Sequence, residues 1–125
     1  MGNYIEIQSR RIAHDLVLLI HKMFYLKGQK SRTVENLKNS ASNVAAELFD
    51  AHGRLFDDEK LKHISKSRGY LYEVKYYLNL LNDLGKVNRY SKRKLDLKIE
   101  LLDRLLVSMI RSKRQYKIHS QRALF

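Results

Sequence analysis

The sequence predicts an all-α protein: one domain, residues 1–125, folded as an antiparallel up-down-up-down four-helix bundle. Three observations carry this prediction. The chain has no proline and only five glycines in 125 residues, whereas β-rich folds need turn residues about every ten positions. Apolar residues recur at steps of three and four, the spacing of one helix face. The four segments with this spacing are of similar length and joined by short links, which makes sequential neighbours antiparallel.

The first helix is expected from about Asn3 to Leu26, with Ile5, Ile12, Leu16, Leu19 and Met23 facing inward and Gly28 just past its end. The second begins at Ser31 or Thr33 and runs to about His52, burying Val34, Leu37, Ala41, Val44, Ala45 and Leu48, with Gly53 closing it. The third opens at "DDEK", where Asp57, Asp58 and Glu59 complement the positive end of the helix dipole. Its seam is Leu61, Ile64, Leu71, Val74, Leu78, Leu81 and Leu84, and Gly85 stops it. The fourth opens at Ser91 as N-cap and carries Leu95, Ile99, Leu102, Leu106 and Met109, giving way after Arg111 to a basic tail over about 112–125.

Apolar residues exceed what one buried face per helix requires. Tyr70, Tyr72, Tyr76 and Tyr77 on the third helix, and Leu97, Leu101, Leu105 and Ile110 on the fourth, fall beside the core stripe. Such a surplus predicts a second, intermolecular interface.

Charge is the strongest functional signal. The chain has 25 basic and 13 acidic residues and a formal charge of +12. Residues 86–125 hold 12 of the basic residues and only 3 of the acidic ones. So uneven a distribution predicts an anionic partner: RNA first, with DNA as the other nucleic acid, ahead of an acidic protein or a membrane surface. The longest apolar run, Leu16 to Ile20, is too short to cross a bilayer. The absence of cysteine and of a signal-peptide pattern at the N-terminus fits a cytoplasmic protein.

Phosphate contacts are expected from Arg89, Lys92, Arg93, Lys94, Arg104, Arg111, Lys113, Arg114, Lys117 and Arg122, with Arg10, Arg11, Arg68 and Lys75 as a second set. Lys92, Arg93 and Lys94 open a helix whose positive dipole end disfavours cations, a conflict that an anionic partner would resolve. Tyr90 and Tyr116 lie among these charges; packing against the fold is the ordinary role for each, and stacking on unpaired bases is the alternative.

Catalytic motifs are sparse. No phosphate-cradling loop, zinc-protease motif or nucleophile elbow occurs, and no cofactor or metal is expected. His14 and His21 sit two turns apart, about 10 Å of rise, too far to share one ion readily. One pattern belongs to an enzyme class. "RQYKIH", Arg114 to His119, resembles the arginine–histidine motif of HEPN helical ribonucleases. There the arginine would stabilise phosphate charge and the histidine would shuttle a proton. A helical ribonuclease is therefore the alternative function, and a protein-interaction adaptor meeting an acidic partner is a third.

The stretch "SRGYLYEVKYYLNLLNDLGKV" resembles the four-helix-bundle family of 23S ribosomal RNA intervening-sequence proteins, a fold similar to the Avd accessory proteins of diversity-generating retroelements. The shared spacing is Gly69, Glu73, Leu78, Leu84 and Gly85. "SASNVAAE" matches the family at Asn43, Val44 and Ala45, and "GRLFDDEKL" and "LVSMIRSKR" resemble its entry to the third helix and its ending of the fourth. Departures are Ala46 and Glu47 in place of Glu and Gly, Tyr70 in place of Ser, about four extra residues between Asn43 and Arg54, and no glycine-rich ending to the fourth helix. The resemblance implies a homopentameric barrel of bundles with basic surfaces and no catalytic activity. For the Avd branch it also implies a reverse transcriptase and structured RNA as partners. It marks Gly69, Tyr70, Glu73, Tyr77 and Gly85 as packing or interface residues. Gly69, inside a helix at a cost of roughly 1 kcal/mol against alanine, is expected at a close helix or subunit contact.

Overall fold

A computed structural model describes the backbone of residues 2–25 and 31–123 and the side chains of 4–25 and 31–114. Among the described residues there are four helices, α1 (Gly2–Met23), α2 (Arg32–Gly53), α3 (Asp57–Asp83) and α4 (Arg89–Ala123). Cross-helix contacts set their direction. Between α2 and α3, Ser40 meets Glu73, Val44 meets Ser67, and Glu47 meets His63. As one number rises the other falls, so the helices are antiparallel. The same inversion holds for α1 and α4, through Glu6 with Lys113 and Ser9 with Met109. It also holds for α3 and α4, through Asp57 with Lys113 and Arg68 with Asp103. Each helix packs on two neighbours, giving the cycle α1–α2–α3–α4.

The helix ends follow local chemistry. Ser31 caps α2, its hydroxyl accepting from the Val34 amide at 3.1 Å. At the far end of α2, Gly53 has no positive φ, and Lys60 Nζ satisfies the carbonyls of Ala51 and His52. Asp57, Asp58 and Glu59 fill the first turn of α3. At its end Gly85 adopts φ +73, the Gly85 amide donates to Asn82 O and the Lys86 amide to Leu81 O. That pair of bonds is a Schellman ending, which requires a residue at ease in the left-handed region. The N-cap of α4 is Asn88 rather than Ser91: its side chain accepts from the Ser91 amide at 2.7 Å. α4 also stays helical to Ala123 rather than fading after Arg111. It continues ten residues past Lys113, where α1 has only four left before Gly2, so it outruns the bundle. Gly28 lies outside the described residues.

The expected α4 seam is buried in full: Leu95, Ile99, Leu102, Leu106 and Met109. The expected α2 seam is buried except Ala45, which packs at its edge. On α1 the innermost line is Ser9, Ala13, Leu16, Ile20 and Phe24, and Ile5, Ile12, Leu19 and Met23 flank it. On α3, Ser67 fills the step between Ile64 and Leu71, while Leu84 is exposed as the C-cap. The small polar positions are satisfied. Ser67 Oγ donates to Val44 O at 2.8 Å and Ser9 Oγ to Ile5 O at 2.7 Å, which removes the penalty for burying a hydroxyl.

Candidate nucleic-acid interface

With one face of α4 committed to the core, its opposite face is solvent. Arg93, Arg104 and Arg111 lie along it, all exposed. Their separations of eleven and seven residues are close to whole numbers of turns, so the three align over about 27 Å. None has an ion-pair partner among the described residues. Tyr90, Leu97 and Leu101 are exposed beside them. Arg104 and Arg111 border a shallow open groove with Asp103, Val107, Ser108 and Ser112. Lys94 lines a second groove, between α1 and α4, with Lys98, Lys22, Asp15, Leu18 and Leu19. Lys98 and Lys22 thus join the basic surface although their sequence positions alone did not single them out.

Arg89 and Arg114 are exposed near the two ends of the described α4 surface, and Arg11 is exposed on α1. Lys75 is exposed, with Nζ 5.5 Å from the Tyr72 ring centre.

Four of the expected contact residues are instead engaged within the fold. Lys113, with 14% of its side chain exposed, bridges Glu6 at 3.2 Å and Asp57 at 3.7 Å, tying α4 to α1 and α3. Arg68 Nε binds Asp103 at 2.7 Å, and its guanidinium lies over the Tyr72 ring. The Asp103 hydrogen bond raises the Arg68 pKa above its ordinary value. Lys92 pairs with Asp96 one turn on, which relieves part of the charge conflict at the start of α4. Arg10 is half-buried with its guanidinium 6.0 Å from the Phe49 ring centre. Lys113, Arg68 and Arg10 reach from one helix to another, whereas Lys92 pairs within α4, and the sequence signature of all four is the same as that of the exposed cations.

The side chains of Lys117, Arg122, Tyr116 and His119 lie outside those described. Arg114 and His119 belong to one continuous helix, where five residues correspond to about 140° of rotation.

The residues marked by resemblance occupy different settings. Tyr70 and Tyr77 pack against the core, and Glu73 accepts from Ser40 Oγ at 3.1 Å across the α2–α3 seam. Gly85 ends α3 through its positive φ. Gly69 does lie within α3, yet it is exposed and a Cβ there would meet nothing within 4 Å. The expected close helix approach is therefore absent within the described chain, because Gly69 points away from the Ile64–Ser67–Leu71 seam. It shares its outer face with Tyr72 and Tyr76, both exposed.

The chemical capacity of the α4 surface is multidentate attraction for closely spaced anions, with apolar area beside it. No described helix is long and apolar enough to cross a membrane.

A family model described as 23S rRNA-intervening sequence protein matches residues 6–108. The chain is similar in structure to a protein of unknown function from the S23 ribosomal protein family of Bacteroides thetaiotaomicron VPI-5482. The TM-score is 0.75 at 16% identity, over 88% of this chain and 97% of the other. At that identity the likeness speaks for the fold alone. No curated protein matches the chain.

Proposed function

The chain belongs to the 23S rRNA-intervening sequence protein family, and from that premise we propose that it is a non-enzymatic RNA-binding bundle that engages structured RNA or a ribonucleoprotein through the outer face of α4. The observation that carries this reading is the aligned, exposed trio Arg93, Arg104 and Arg111, which have no ion-pair partner among the described residues. Three exposed guanidinium groups without ion-pair partners among the described residues are available to contact the phosphates of a bound polyanion at no cost to the fold's own ion pairs. Lys94, Lys98 and Lys22 widen the same positive surface toward α1. Binding is electrostatic in this reading, so affinity falls steeply with salt. A filter-binding series with duplex and hairpin RNA tests it. Nanomolar to micromolar binding near 50 mM salt, lost by 200 mM, is expected; a salt-independent response contradicts it, as does no binding at all.

The same reading includes self-association. Leu97, Leu101, Tyr72 and Tyr76 are exposed apolar surface on the outer faces of α3 and α4, and the family resemblance suggests a homopentameric barrel. Light scattering on the purified protein reads the subunit number directly. A reverse-transcriptase accessory role is the specific form that a neighbouring reverse-transcriptase gene would favour, tested by co-purification of the two products. The ribonuclease alternative rests on Arg114 and His119. RNA left intact by the purified protein would remove it.

A further inference from the structure

On the α2–α3 face, away from the arginine line of α4, Glu47, Asp50 and His63 converge. His63 Nδ1 lies 2.7 Å from Glu47 Oε2 and 3.4 Å from Asp50 Oδ2. One potential ligand atom from each residue falls within 4.8 Å of the others. We propose that these three side chains form a binding site for a borderline divalent cation of the Zn2+ type, clipping α2 to α3.

The donor set is more than an acidic patch. It joins one imidazole to two carboxylates, a combination that suits Zn2+ better than the oxygen-seeking Mg2+ or Ca2+. Tetrahedral Zn2+ with ligands near 2.0–2.1 Å separates donor atoms by roughly 3.3 Å; the His63–Asp50 pair already has that spacing at 3.4 Å, while the 2.7 Å His63–Glu47 hydrogen bond opens by about 0.6 Å to admit the ion. Glu47 and Asp50 are one helical turn apart and His63 reaches across from the antiparallel helix, with only 12% of its side chain exposed. Arg54 Nε holds Asp50 Oδ1 at 3.0 Å, so the second oxygen, Oδ2, is the one turned to His63. That is the orienting role an outer partner plays at metal sites. Arg54 and Lys66 also bring positive charge to Asp50, which weakens affinity and makes a strong nitrogen-binding ion the right probe.

Isothermal titration of the full chain with ZnCl2 tests the site. One Zn2+ per chain is expected, with binding weakened at least about tenfold in His63→Ala and in Glu47→Gln. His14→Ala and His21→Ala, which alter exposed histidines on α1, should bind as the wild type does. Far-UV circular dichroism establishes that each variant is folded, and Glu47→Gln keeps the side-chain shape should His63→Ala not fold. The proposal is overturned by the absence of saturable Zn2+ binding, by wild-type affinity in Glu47→Gln, or by Mg2+ binding as tightly as Zn2+.

Discussion

Replacing Arg93, Arg104 and Arg111 together by alanine separates cations that face solvent from cations that build the fold. All three side chains are exposed and lack ion-pair partners among the described residues, so the triple variant should fold and unfold as the wild type does. Each phosphate contact contributes about 0.9 to the slope of log affinity against log salt on a duplex and about 0.7 on a single strand. Losing three contacts therefore flattens the slope by roughly 2–2.7. Across a fourfold rise in salt, from about 50 to 200 mM, the wild type should lose about 20–40 times more affinity than the triple variant. Fluorescence anisotropy with a labelled RNA hairpin measures both slopes. Lys113→Ala is the matched control. Its partners are Glu6 and Asp57 and its side chain is largely buried, so it should cost roughly 1–3 kcal/mol of stability and leave the slope unchanged. A triple variant with the wild-type slope refutes the assignment of phosphate contacts to this line. Equal flattening in Lys113→Ala refutes the distinction between paired and unpaired cations.

The two α3 glycines should respond in opposite directions. Gly69→Ala adds a methyl in open space within a helix and should stabilise by roughly 0.5–1 kcal/mol. Gly85→Ala forces a side chain into φ +73 and should destabilise by about 1–2 kcal/mol; urea unfolding reads both. A Cβ at Gly69 meets nothing within 4 Å in the protomer, so in a folded Gly69→Leu variant a reduced subunit number in light scattering would place Gly69 at a subunit contact, whereas unchanged size would exclude it. Leu102→Ala, at a fully buried seam position, should cost roughly 2–5 kcal/mol, visible as a lower urea midpoint at unchanged slope.

Each feature legible in the sequence has a local cause. The α4 seam from Leu95 to Met109 was legible because five large apolar residues recur at the helical step. The α1 seam was legible only as a stripe offset by part of a turn. Ser9 and Ala13 occupy its centre, and small residues carry little hydrophobic signal even where they permit the closest packing. Ser67 was missed for the same reason. Ser91 looked like an N-cap by residue type, but Asn88 three residues earlier makes the capping bond, a choice between two good caps decided by where the chain turns.

By itself the sequence determined four amphipathic helices, their order, the Gly85 stop and the concentration of positive charge after residue 85, because each depends on residue type or on neighbours within a turn or two. Tertiary structure alone decided which charges remain available. Lys113 and Arg114 are adjacent in the chain, yet one is held between Glu6 and Asp57 and the other is exposed. Arg68 is spent on Asp103, 35 residues away, and His63 meets Glu47 only through the antiparallel register of α2 and α3. That register is set by how two whole helix surfaces interlock, a sum over many weak contacts that no short motif displays.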